Sequence, residues 1–321
     1  MKSYWLVPST GAVTLELRDV PRPEPKQGQL LIEVRASCFN RGELIPGHGT
    51  PTSAKPGGGE CAGEIAGIGA GVAGFTLGER IMGRCAGGFS EYALMDAREA
   101  LRPPDRVSWE EAAAIPLVFM VVHDMLVAHG TLKPGEWLLI TGASSGVGVA
   151  ALQAGKALGA KVIGTSGSAA KLQKLEQLGL DVGVVTRGGG FYEPAMQTTG
   201  NRGVDLVVNN VGGTVFAECI RTLAYEGRLA TVGYLDRTLK AEIDLEALHA
   251  KRLRLFGVSN KLRLPAERAV TVRAFEKDFL PYFAEGRIRP VIDRVFPFDD
   301  LPAAHAYFES NAMVGKVVVR R

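Results

Sequence analysis

The chain has 321 residues, 46% of them hydrophobic and 22% charged, with a formal net charge of +3. That length predicts two domains of about 150 residues each, and the apolar share is enough for real cores. The small charge argues against nucleic-acid and membrane-surface partners. The N-terminus, MKSYWLVPST, carries no apolar leader segment, and no run of about 18 apolar residues occurs. The expectation is therefore a cytoplasmic protein.

Four cysteines, Cys38, Cys61, Cys85 and Cys219, form no C-x-x-C pair and have no histidine at zinc spacing. Such cysteines read as reduced thiols rather than as a metal cluster.

Residues 1–100 read as short strands between turns. Leu30 to Arg35 alternates with period two, Pro21 to Pro25 is a loop, strands broken by glycine fill Gly63 to Gly78, and Phe89 to Met95 is a further strand. This pattern predicts a β-rich, barrel-like part. Helices are expected over Trp109 to Ile115 and Val121 to Ala128. Strands and helices then alternate. The strands are Trp137 to Thr141, Lys161 to Gly164, Val182 to Val185, Leu206 to Asn209, Leu229 to Val232 and Leu253 to Val258. The helices include Gly146 to Leu158 and Ala169 to Leu178. Continuous apolar strands alternating with helices predict a Rossmann-type, doubly wound parallel sheet, in an α/β protein. Beyond it come a long helix over Ala266 to Phe283, a strand over Val291 to Pro297, a helix over Leu301 to Ser310 and a strand over Lys316 to Val319.

The segment Leu138-Leu-Ile-Thr-Gly-Ala-Ser-Ser-Gly-Val-Gly148 lies between an apolar strand and a helix. A glycine-rich turn there lets backbone approach a pyrophosphate, and the helix N-terminus offers N–H groups and a positive dipole end. Ser144, Ser145, Gly146, Val147 and Gly148 are the candidate contacts. The usual fingerprint would place glycine at Ala143 and Ser145, so a plain turn without a ligand is the competing reading. An acid about 20 residues on would select NAD. Here the next strand ends Gly164-Thr-Ser-Gly-Ser168, with none. Thr165, Ser166, Lys171 and Arg187 instead suit a 2′-phosphate, because charge-assisted bonds to phosphate are strong. The expected cofactor is NADP, bound as NADPH, although Lys171 and Arg187 are also ordinary surface residue types.

From end to end the chain resembles the medium-chain dehydrogenase/reductase superfamily, and within it the zinc-independent quinone oxidoreductases. The resemblance rests on Leu132-Lys-Pro-Gly-Glu136, Asp205-Leu-Val-Val-Asn-Asn-Val-Gly212, Gly227-Arg-Leu-Ala-Thr-Val-Gly233, Leu255-Phe-Gly-Val-Ser-Asn260 and Gly315-Lys-Val-Val-Val319. It implies a β-rich, GroES-like catalytic domain over residues 1–115 and 266–321, and an NADP-binding Rossmann domain over 116–265. It also implies that Asn210, Val211, Gly233, Tyr234, Val258, Ser259, Asn260 and Lys316 contact the cofactor. A homodimer paired through edge strands near Leu253 to Val258 is a further implication.

Zinc members of the superfamily would place a catalytic cysteine at Asn40 and a ligand histidine at Gly59, in Gly58-Gly-Glu60. Their four-cysteine lobe would lie near residues 82–96, where only Cys85 stands. No metal is expected. Without a Lewis acid, acceptors that are already electrophilic are favoured, namely quinones and α,β-unsaturated carbonyl compounds. The resemblance implies hydride delivery from the nicotinamide to such an acceptor, with Asn40 and His123 as catalytic candidates. Asn40 would bond the acceptor carbonyl or the nicotinamide amide. His123 stands where relatives often carry tyrosine, and histidine is a residue type that can handle a proton in its place; it equally reads as a satisfied helix residue. Glu43 and His48 read as loop residues bordering the substrate or as a solvated face. Glu60 reads as a buried structural carboxylate and Tyr92 as a packing residue. Water is an alternative proton source. An enoyl-thioester reductase, drawing on Arg41, Arg84 or Arg263 for phosphate, and a non-enzymatic NADPH-linked binding protein remain open as alternatives.

Overall fold

The computed structural model describes residues 1–9, 12–44 and 53–321. Period-two alternation builds the opening hairpin. Strand β1 (Lys2–Ser9) pairs antiparallel with β2 (Ala12–Asp19), and its Tyr4 and Leu6 turn into the core. The spine of the next sheet is β3 (Gln29–Cys38), which leads into a single helical turn, α1 (Arg41–Leu44). There follow β4 (Lys55–Pro56), β5 (Glu60–Ile68), β6 (Arg80–Arg84), β7 (Tyr92–Asp96) and β8 (Ala100–Leu101). Helix α2 (Trp109–Ala113) starts at a reciprocal cap in which Ser108 and Glu111 bond each other's backbone N–H. Helix α3 (Pro116–His123) runs on into a π-type turn over Asp124–Ala128.

The parallel sheet comes next: β9 (Trp137–Thr141), α4 (Gly146–Ala157), β10 (Lys161–Ser166), α5 (Ala169–Glu176), β11 (Val182–Val185), α6 (Tyr192–Thr198), β12 (Val204–Asn209), α7 (Phe216–Thr222), β13 (Leu223–Thr231), α8 (Leu245–Ala250) and β14 (Arg254–Gly257). Its spatial order is β11-β10-β9-β12-β13-β14 with every pair parallel. Counted from β9, that is 3-2-1-4-5-6, the dinucleotide-binding order of the doubly wound fold. All six residues of β12 are buried, as a central parallel strand covered on both faces requires.

The chain then returns through α9 (Pro265–Asp278), α10 (Leu280–Glu285), β15 (Ile292–Pro297), α11 (Leu301–Glu309) and β16 (Lys316–Arg320). The single helix expected over 266–283 is two helices. Pro281 has no N–H to donate, and its ring would crowd the carbonyl of Lys277, so the helix breaks at Phe279. Strand β16 pairs with β3 antiparallel, in the sheet order β15-β16-β3-β5-β6-β8, with β7 also on β3.

The described chain divides into two compact units, Met1–Met120 with Asn260–Arg321, and Val121–Ser259. The first is built on the mainly antiparallel sheets, in which β15 and β16 alone among the described strand pairs run parallel, and the second on the parallel sheet. Among the described residues, no helix is long and apolar enough to cross a membrane.

Candidate active site

The turn from β9 to α4 is held from both sides. The N–H of Gly142 donates to Thr165 Oγ1 at 3.1 Å, and that of Ala143 donates to the Thr165 carbonyl at 2.8 Å. Ser145 caps α4, its Oγ accepting from the Gly148 N–H at 3.0 Å. The N–H groups of Gly146 and Val147 stand in the first turn, where a helix offers them no internal acceptor. Gly142 has φ +62°, and a Cβ at Gly148 would lie 2.6 Å from the Ala143 carbonyl oxygen. Glycine at 148 is therefore what lets the helix start so close to the strand. Thr165, 4% exposed, is occupied in tying β10 to this turn.

At the end of β10, Ser166 is 5% exposed and its Oγ accepts from the Ser168 N–H. Arg187, exposed, lies over Gly167; a Cβ there would meet Arg187 Cγ at 2.5 Å and Nε at 3.1 Å. Lys171 is in the first turn of α5, with its N–H on Ser168 Oγ. A serine hydroxyl and a guanidinium thus gather where an NAD site would carry an acid, and Lys171 follows in the adjoining helix turn.

The loop after β12 is fixed by a buried polar network. Thr141 Oγ1 donates to Asn209 Oδ1 and accepts from the Asn210 N–H, and Asn210 Nδ2 donates to the Thr141 carbonyl. Asn209 Oδ1 also accepts from the N–H groups of Val211 and Gly212. The loop after β13 rests on it: the Asp236 N–H donates to the Val211 carbonyl at 2.9 Å, and a Cβ at Gly233 would be 3.0 Å from the Asn210 carbonyl oxygen. Tyr234 is half-buried there, and the Val258 N–H bonds the Thr231 carbonyl just past β14. Ser259 is exposed one residue on. Asn210, Val211, Gly233, Tyr234, Val258 and Ser259 therefore all follow carboxyl ends of parallel strands. That is the edge at which open α/β sheets bind ligands. Asn260 lies in the other unit, its Oδ1 3.5 Å from Arg263 Nη1.

The antiparallel unit holds a second polar constellation. Lys316 Nζ donates to Glu60 Oε1 at 2.9 Å, to Asn40 Oδ1 at 2.8 Å and to the Phe39 carbonyl at 3.1 Å. Asn40 Nδ2 donates to Glu60 Oε1 at 2.8 Å and to Glu43 Oε1 at 3.3 Å. Glu60 Oε2 accepts from the Leu117 N–H at 2.8 Å. Lys316 is 5% exposed and Glu60 fully buried, whereas Asn40 and Glu43 are half-buried at the rim. An ammonium has three protons, and all three are engaged. Lys316 is thus the cation of this cluster in the antiparallel unit. Attraction to Glu60 and neighbouring acids, outweighing burial, holds its pKa above the usual lysine value. Glu43 Oε1 lies 2.9 Å from where a Cβ on Gly59 would stand, so the missing side chain at 59 makes room for this carboxyl. Burial first, then the Glu60 charge, push the Glu43 pKa up to about 7. Burial pushes the Cys38 thiol up as well, which leaves it no nucleophile.

His123 closes α3 and is 2% exposed, in the unit that carries the parallel sheet. His48 lies outside the described residues. Arg41 bonds Asn311 Oδ1 and the Phe308 carbonyl, and Arg263 bonds the Glu267 carbonyl and Thr271, so both are already committed locally. All four cysteines are free thiols. Among the described residues, no three His, Cys, Asp or Glu side chains are grouped to hold a metal. A hollow of about 780 Å³ lined by Arg80, Asp105, Arg106, Trp109, Glu110 and Arg320 contains none of the residues above.

Two features escape inspection of the sequence. One is the Thr141 network, signalled only by a lone hydroxyl at the end of an apolar strand. The other is the partnership of Lys316 with Glu60, signalled by a single lysine entering the run Val317 to Val319.

Comparison with known proteins places this geometry among relatives. Residues 26–105 match the alcohol dehydrogenase GroES-like domain, and residues 178–319 match a family described as zinc-binding dehydrogenase. Acryloyl-coenzyme A reductase of Metallosphaera sedula is 29% identical, over 95% of this chain and 96% of that protein. Quinone oxidoreductase-like protein 2 of Bos taurus is 31% identical, over 81% of this chain and 74% of that one. The chain also aligns over 98% of its length, at 32% identity, with the spectinabilin polyketide synthase system protein NorB of Streptomyces orinoci, of which it spans 14%. Escherichia coli quinone oxidoreductase, solved in complex with NADPH, superposes over the full length of both chains with a TM-score of 0.89 at 25% identity.

Proposed function

This chain belongs to the medium-chain dehydrogenase/reductase superfamily, in its quinone oxidoreductase-like branch, and from that premise we propose an NADPH-dependent reduction of a quinone or an α,β-unsaturated carbonyl compound. The observation that carries the reading is the capped, glycine-gated turn from β9 to α4. Its Gly146 and Val147 N–H groups, with Ser144 and Ser145, suit a pyrophosphate at a helix N-terminus. Ser166, Lys171 and Arg187 receive the 2′-phosphate, and the loops after β12, β13 and β14 receive the ribose and nicotinamide. When bound, NADPH supplies the hydride.

The rest falls to the residues of this chain. Asn40 has both amide protons and its carbonyl oxygen engaged, which sets its orientation. Its weakest bond is the 3.3 Å one to Glu43. That proton is the one it redirects to the acceptor carbonyl, polarising it as charge develops on oxygen. His123 remains a second candidate for handling a proton. An amide and a glycine stand at positions 40 and 59 and supply no tetrahedral zinc set. Acceptors that need no Lewis acid are therefore favoured.

A second reading, reduction of an enoyl thioester, draws on the full-length similarity to acryloyl-coenzyme A reductase. NADPH oxidation is followed with benzoquinone, a simple enone and crotonyl-CoA. Turnover of benzoquinone or the enone is expected. Turnover of crotonyl-CoA alone would replace the proposal by the thioester reading. Tight NADPH binding with no turnover at all would favour a binding protein.

A further inference from the structure

We propose that Glu43 is the proton donor to the reduced acceptor, with Asn40 as the hinge between it and the buried Glu60–Lys316 pair. This role rests on the reductase reading above.

Two carboxyl groups converge on one amide and one ammonium. Glu60 holds the cation: its Oε1 accepts from Lys316 and Asn40, and its Oε2 from the Leu117 N–H. Glu43 has only the 3.3 Å bond from Asn40 among those contacts. One buried cation balances one carboxylate, and two neighbouring carboxylates disfavour a second negative charge. The proton therefore resides on the acid with fewer hydrogen bonds and no direct contact with the ammonium, Glu43. Among the described residues, the groups facing it are Glu60 from β5, Lys316 from β16 and Lys55 from β4, with the Cys38 thiol on β3 and the Cys85 thiol after β6. The net result is a carboxyl that titrates at about 7, where a general acid is most useful at neutral pH.

Position supports the same role. Lys316 and Glu60 are buried, whereas Glu43 and Asn40 form the half-buried rim, so these two can touch a ligand while the pair beneath cannot. The glycine at 59 leaves the Glu43 carboxyl its space. Asn40 bonds Glu43 directly, so an acceptor oxygen held by the amide lies within reach of the acid.

The step balances. An acceptor that has taken a hydride from NADPH is an enolate or a quinol oxyanion. The O–H bond of the Glu43 carboxyl breaks as an O–H or C–H bond forms on that product. The carboxylate then takes a proton from water. In sum NADPH, one proton and the acceptor become NADP and the reduced acceptor.

Glu43→Gln and Glu43→Asp test this. In the unaltered enzyme kcat falls as pH rises through about 7. Glu43→Gln lowers kcat about 10²-fold and removes that inflection, with NADPH affinity, read by fluorescence, unchanged. Glu43→Asp restores part of the rate together with an inflection. Carbon-13 NMR of glutamate-labelled, cofactor-free protein shows a carboxyl titrating near neutrality that Glu43→Gln lacks. Glu43→Gln retaining kcat within about three-fold, an inflection surviving in it, or the absence of that resonance would each overturn the assignment. NADPH binding with acceptor turnover that ignores Glu43 defeats this role alone, whereas no NADPH binding by the unaltered protein defeats the reductase reading and this role with it.

Discussion

Lys316 and Glu60 are each nearly sealed from water, and each satisfies the other. Removing one member of such a pair leaves a buried uncompensated charge, which typically costs about 3–5 kcal/mol. Lys316→Met is expected to lose that much in denaturant unfolding, and Lys316→Met with Glu60→Gln to recover much of it; equal losses in both would show that charge is not the cause. Glu43 behaves differently. Its folded pKa of about 7 is raised above the ordinary 4.5. The stability this proton confers is present below about pH 4.5 and is lost as pH rises towards 7. Glu43→Gln should accordingly flatten that part of the stability profile. Asn40 stood out as a candidate from its place in the motif. The role of Lys316 was not, because it depends on strand register. Val318 pairs with Cys38, so two residues further along each antiparallel strand Lys316 comes level with Asn40. A register spanning almost the whole chain leaves no local trace in sequence.

At the scale of elements, the strands that show plainly in sequence are continuous apolar runs, whether buried in the sheet, as β9 is, or at its edge and largely exposed, as β11 is. Trp137 to Thr141 and Val182 to Val185 are found where the apolar runs place them. Strand β13 begins six residues before the expected start at Leu229, because Leu223 already pairs with Val204 and is buried with Ala224 ahead of a turn at Glu226, whose φ is +58°. Strand β7 starts at Tyr92, since Phe89 is turned into the core and its carbonyl accepts from the Tyr4 N–H. The turn from β9 to α4 was legible in outline, but the inward use of Thr141 and Thr165 was not, because hydroxyl direction follows from neighbouring strands. Gly148 is the position where this element has no slack. Gly148→Val would drive a side chain into the Ala143 carbonyl. Overpacking of this kind costs about 1–3 kcal/mol, so a lower Tm together with loss of NADPH binding is expected. An unchanged Tm and affinity would mean that the close approach is not needed.

At the scale of the molecule, the change from antiparallel to parallel sheets divides labour. One unit carries the loops at the carboxyl ends of β9, β10, β12, β13 and β14, and the other carries the Asn40–Glu43–Glu60–Lys316 cluster. The units change over after Met120 and after Ser259, so α3 belongs to the antiparallel unit for most of its length. On the proposed reading, cofactor choice is a property of the parallel unit alone, set by Ser166, Lys171 and Arg187 in place of an acid. Titrating the protein with NADPH and with NADH, followed by cofactor fluorescence, tests this most directly. At least ten-fold tighter binding of NADPH, about 1.4 kcal/mol, is the predicted result; equal or tighter binding of NADH would contradict it.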